Sequence, residues 1–127
     1  MPYSLSRILA VGAGGIVGSI ARFGLSLLWN PVTAQGFPWG TLACNLAGCL
    51  LLGYTASAVG ARLPAAVQLG ITAGLIGTFT TLSTFSLEMV QLLQAGHAGT
   101  AAAYAALSGI GGLALARLGE ALGGYEK

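Results

Sequence analysis

Gly74-Leu75-Ile76-Gly77-Thr78-Phe79-Thr80-Thr81-Leu82-Ser83-Thr84-Phe85-Ser86 places two glycines, four threonines and two serines in the middle of an apolar stretch running from 66 to 93. Glycine and β-branched threonine are weak helix formers, and hydroxyls offer the backbone competing hydrogen bonds. Two readings are open. The segment is a small-residue packing face of the kind common between membrane helices, or it is a broken helix whose freed carbonyls coordinate an ion. Irregular backbone at membrane depth survives only inside protein or beside a water-filled cavity.

The rest of the chain places that stretch in lipid. Of 127 residues, 55% are hydrophobic and 6% charged, against about 25% charged in a soluble domain. Mean hydropathy is +0.82. Five Lys/Arg and three Asp/Glu cannot cover a protein surface in water. A net charge of +2 supplies no basic stripe for nucleic acid. A membrane helix needs about 20 apolar residues, so four spans are expected, near 8–28, 40–60, 66–93 and 100–118, forming one domain. The runs are continuous rather than alternating, which excludes a β-barrel. Arg22 and three further spans argue against a cleaved signal peptide at the N-terminus. The tail 123–127 is polar enough to fray. Cys44 and Cys49 read as small buried residues.

Polar residues inside the spans carry the functional question. Thr41 and Asn45 are four apart and share a helix face; a buried amide in lipid needs a partner. Asn45 either bonds a neighbouring helix or turns its NH2 into a polar pathway. Glu88 is the one acid within a span, and Thr80, Thr84 and Glu88 are spaced as one stripe. Intramembrane carboxylates are functional by default, although one near the interface can snorkel outward. Thr100, Tyr104, Ser108 and Gly112 form a second four-spaced stripe, either a helix contact or half of a polar track. Arg22 lies in line with Gly14 and Gly18, whose spacing lets another helix approach closely. It either snorkels to the headgroups or lines an anion vestibule. His97 sits in a short loop. No nucleophile with a base, phosphate loop or metal-ligand cluster is present, and one His cannot build a zinc site. The chain does not read as an enzyme.

Three segments together resemble the Fluc (CrcB) family of fluoride channels. They are Gly14-Gly15-Ile16-Val17-Gly18-Ser19-Ile20-Ala21-Arg22-Phe23, Pro38-Trp39-Gly40-Thr41-Leu42-Ala43-Cys44-Asn45-Leu46-Ala47-Gly48, and Gly77-Thr78-Phe79-Thr80-Thr81-Leu82-Ser83-Thr84-Phe85-Ser86-Leu87-Glu88. The resemblance implies an all-α, multi-pass protein of the cell (inner) membrane. It implies four helices per subunit, the third broken in mid-membrane, assembled as an antiparallel, dual-topology homodimer. It implies passive, fluoride-selective export that confers fluoride resistance. A structural sodium ion would sit at the dimer interface on the carbonyls of Gly77 and Thr80. The ion pathway would use Thr41, Asn45, Leu82, Phe85, Glu88, Tyr104 and Ser108, with Arg22 near a vestibule.

Two positions depart from the family pattern. The family has phenylalanine at both hydrophobic pathway positions, whereas this chain has Leu82 and Phe85. Phenyl edges carry partial positive charge and leucine has none, so Leu82 should suit fluoride less well. Gly112 stands where some members have serine. The alternative class is a small proton-coupled four-helix multidrug exporter, which needs an acid in the first span; here that span carries Arg22 and no acid. Arg7, Arg62, Arg117 and Lys127 fall toward one membrane side and Arg22 toward the other, a bias that puts both termini in the cytoplasm. The family resemblance instead implies both orientations.

Overall fold

The computed structural model describes residues 4–33, 36–59 and 62–124. Lys127 and the last residues of the tail lie outside the described residues, as do 34–35 of the first linker and 60–61 of the second. The described residues form α1 (Leu5–Trp29), α2 (Trp39–Ala58), α3 (Ala65–Leu69), a π-helical segment (Gly70–Ile76), α4 (Gly77–Phe79), α5 (Leu82–Gln94) and α6 (Ala98–Gly124). Four units are long and apolar enough to cross a membrane: α1, α2, the stretch Ala65–Gln94, and α6. The last continues beyond the apolar run ending near 118, and there Arg117 and Glu120 pair at 3.5 Å on an exposed face. Gly96, at φ 80°, supplies the left-handed residue that ends α5 before the turn into α6.

The helices pair in an interleaved way. The first half of the third span packs along α1, and α2 packs along α6. Glycines set both contacts. A Cβ at Gly14 would run into the Gly70 carbonyl, and one at Gly18 into the Leu75 carbonyl and the Thr78 hydroxyl. On the other pair, a Cβ at Gly53 would meet the Ala116 carbonyl, and one at Gly119 the Leu50 carbonyl. Without a hydrophobic force between helices in lipid, close van der Waals packing holds them together, and such backbone proximity allows it. The Gly14–Gly18 spacing therefore does what its sequence suggests, with the third span as the partner.

Within the third span the hydroxyls are consumed locally. Thr72 Oγ1 donates to the Gln68 carbonyl at 2.9 Å, and Thr80 Oγ1 to Ile76 at 3.1 Å. Thr78 Oγ1 lies 2.9 Å from the Gly74 carbonyl and 3.0 Å from that of Gly15, tying the span to α1. The loosely wound Gly70–Ile76 stretch lies where this approach is closest.

The helix then stops. Thr80 (φ −81°, ψ 157°) and Thr81 (φ −150°, ψ 126°) are both extended, and α5 begins afresh at Leu82. The segment is thus a packing face up to Thr78 and is broken after Phe79. The break also corrects one expectation. Thr80 lies before it and Glu88 after it, so they do not share a helical stripe; Thr84 and Glu88 do.

Candidate functional site

Asn45 of α2 occupies the break. Its Oδ1 accepts from the Thr81 N–H at 2.7 Å, and its Nδ2 donates to the Thr81 carbonyl at 2.9 Å. A primary amide presents a donor and an acceptor side by side, so it satisfies both groups of one extended residue. The new helix is capped by Thr81, whose Oγ1 accepts from the Thr84 N–H at 3.2 Å.

These bonds free two carbonyls. In an unbroken helix the Thr81 N–H would serve Gly77 and the Thr84 N–H would serve Thr80; here both donors go to side chains. Gly77 is exposed and Thr80 half-buried on a face that the chain itself leaves uncovered. Both line a cleft of about 330 Å³ shared with Asn45, Cys49 and Leu82. Among the described residues no group of three or more His, Cys, Asp or Glu could hold a metal ion. The cleft's lining carries no Asp or Glu, so the oxygen atoms it offers are neutral.

Beside the break, Asn45, Leu82, Phe85 and Ser108 line one further cleft of about 290 Å³. Leu82 is 77% exposed. Ser108 carries a buried hydroxyl without a partner among the described residues. The Phe85 ring packs at 4.8 Å between centroids against Tyr104, which is fully buried. Tyr104 leads to the carboxylate of Glu88. Tyr104 Oη donates to Glu88 Oε2 at 2.7 Å, Thr41 Oγ1 to Oε1 at 2.7 Å, and Asn30 Nδ2 to Oε1 at 3.2 Å.

The structure thus gathers Asn45, Leu82, Phe85 and Ser108 along one cleft, and Thr41, Glu88 and Tyr104 in one adjoining network. Arg22 stands apart. It lines a separate cleft of about 220 Å³ with Phe23, Ser26 and Thr84, and its Nε is buried without a partner among the described residues. Gly112 is buried, and a Cβ there would lie 3.3 Å from Cys49 Sγ. A larger residue at 112 would press on this cysteine, and with glycine there the hydroxyl track ends at Ser108. Asn30 is the member that sequence reading misses: Asn30-Pro31 looks like the end of a span, and nothing in its spacing points to Glu88.

A family model described as "CrcB-like protein, Camphor Resistance (CrcB)" matches residues 9–120. Among similar proteins is a "Fluoride-specific ion channel FluC" of Chlorobium phaeobacteroides, 44% identical over 85 residues, covering 65% of this chain and 66% of that protein. "Fluoride-specific ion channel FluC 1" of Nitrobacter hamburgensis is 42% identical over 78 residues, covering 60% of this chain and 62% of its own length. "Fluoride-specific ion channel FluC 2" of Moorella thermoacetica is 44% identical over 75 residues, covering 59% and 62%. The chain thus spans just under two thirds of the length of these curated relatives. Each relative is named as a channel rather than as an enzyme.

Proposed function

The chain belongs to the CrcB family, and on that premise we propose that this multi-pass membrane protein passes fluoride passively down its electrochemical gradient. Export from the cytoplasm across the cell (inner) membrane would confer fluoride resistance. The observation that carries this reading is the cleft of Asn45, Leu82, Phe85 and Ser108, where a buried hydroxyl without a partner among the described residues lies beside Leu82, Phe85 and the Asn45 amide. Fluoride is small and strongly hydrated, so a pore must replace its water with hydrogen-bond donors. The Ser108 hydroxyl is one such donor, and the edge of the Phe85 ring carries partial positive charge. No cation lines this cleft, so nothing in its wall holds the ion too tightly to leave.

The relatives' names support fluoride as the ion. The exposed Leu82 and the uncovered carbonyl face support a second copy as the missing wall. An antiparallel homodimer would bring two breaks together on a two-fold axis. Four carbonyls, from Gly77 and Thr80 of each subunit, would then hold a structural sodium ion, which would supply positive potential near the anion path without a charged side chain.

Liposomes loaded with fluoride test the reading. Purified protein should release fluoride and largely retain chloride, without needing a proton gradient. Equal rates for the two anions, or strict proton dependence, would overturn it. Extraction with a large organic cation in place of sodium should lower both flux and thermal stability if the carbonyls hold sodium. In the same assay Leu82→Phe should raise fluoride throughput several-fold, since a ring edge replaces an aliphatic wall. Unchanged flux in well-assembled Leu82→Phe protein would remove residue 82 from the path.

A further inference from the structure

We propose that Asn30 is a positioning residue for Glu88, fixing the carboxylate against its wall of donors so that its charge stays out of the anion's way. This rests on the channel reading above. The start of α2 explains why an asparagine from α1 is needed. Pro38 stands at the cap position and offers no side-chain acceptor, so the first-turn N–H groups need an outside partner. Asn30 Oδ1 provides it, accepting from the Thr41 N–H at 3.1 Å. Gly40 makes room, because a Cβ there would lie 2.8 Å from Asn30 Oδ1.

With its oxygen committed to α2, the amide nitrogen is aimed. Nδ2 donates to Thr41 Oγ1 at 3.0 Å and to Glu88 Oε1 at 3.2 Å. One side chain therefore joins the end of α1, the start of α2 and the carboxylate on α5. The carboxylate borders a cleft of about 200 Å³ between the linker residues Pro31, Val32 and Thr33 and the side chain of Gln91. Held by Asn30, Thr41 and Tyr104, its charge is spread over three donors. Released into that cleft, it would repel an incoming anion.

Asn30→Asp separates capping from positioning. Aspartate keeps the acceptor for the Thr41 N–H, and it is as good a cap as asparagine. It loses the donor to Glu88 and sets two carboxylates together. We expect fluoride release to fall by about tenfold or more, the scale of one lost bond to a charged group. In the Asn30→Asp/Glu88→Gln double variant the amide and acid exchange places and the hydrogen bond re-forms in reverse. Its flux should be no lower than that of Glu88→Gln alone, and its thermal unfolding midpoint should lie above that of Asn30→Asp. Full flux in Asn30→Asp would overturn the proposal, since capping alone would then explain the residue. So would an equal fold-loss in both backgrounds. If the unaltered protein carries no fluoride, the channel reading fails, and the unfolding midpoints alone decide: recovery in the double variant supports the pairing and additive losses overturn it.

Discussion

Fluoride release through Asn45→Asp should fall by about two to three orders of magnitude. The substitution keeps an oxygen for the Thr81 N–H but loses the Nδ2 donation to the Thr81 carbonyl at 2.9 Å. Two oxygens then face each other where a hydrogen bond stood, and a buried acceptor left unmatched costs about 1–3 kcal/mol. The new charge also lies on the wall of the cleft with Leu82, Phe85 and Ser108. A like charge at about 4 Å, in the intermediate dielectric of a protein, repels by about 4 kcal/mol, which is about three decades in rate. Both effects act in the same direction. Release from liposomes, with the unfolding midpoint recorded alongside, checks this. Near-normal flux in folded Asn45→Asp protein would mean that the amide neither holds the break nor borders the ion.

The second large effect concerns assembly rather than flux. Gly18→Ala adds one methyl group, yet that Cβ would meet the Leu75 carbonyl and the Thr78 hydroxyl. The Leu75 carbonyl belongs to the backbone of the third span and cannot swing aside, so α1 must move off the face that it packs against. Its displacement also stretches the Thr78–Gly15 hydrogen bond of 3.0 Å. Overpacking typically costs about 1–3 kcal/mol, and more when main chain is the obstacle; we expect a loss above about 3 kcal/mol. Gly24→Ala is the matched control on the same helix, because nothing lies within 4 Å of its Cβ. There the better helix propensity should be neutral or stabilising by about 0.5–1 kcal/mol. Thermal unfolding in detergent compares the two. Similar midpoints for both variants would show that the close approach of α1 is not what holds the bundle.

How far each residue was legible depended on how local its partners are. Hydrophobic runs mark the four spans because each helix must bury its own length in lipid, and the Gly/Thr density marks the break because propensity is a local property. The device that stabilises the break is not local. Asn45 meets Thr81 across 36 positions of sequence, and only packing of α2 against the third span brings them together. Spacing arguments also assume an unbroken helix, which is why Thr80 looked aligned with Glu88 although the chain turns between them. Asn30 was hidden for a related reason. An asparagine before a proline is an ordinary way to end a helix, and its second role needs the caps of two helices to meet.

The interleaved pairing has a consequence for how the chain is made. Helices emerge from synthesis in order, but α1 finds its main partner only when the third span arrives, and α2 only when α6 does. The closely packed faces around Gly14 and Gly18 on the one helix, and Gly53 on the other, must wait in lipid while later segments are still being translated. Contacts between distant parts of a chain form slowly, because the intervening segment must be ordered first. Half-made chains would carry two bare glycine faces able to seize the wrong neighbour. A stop in translation before α6 should therefore be more harmful here than in a bundle of consecutive hairpins, since only α6 closes the second pair.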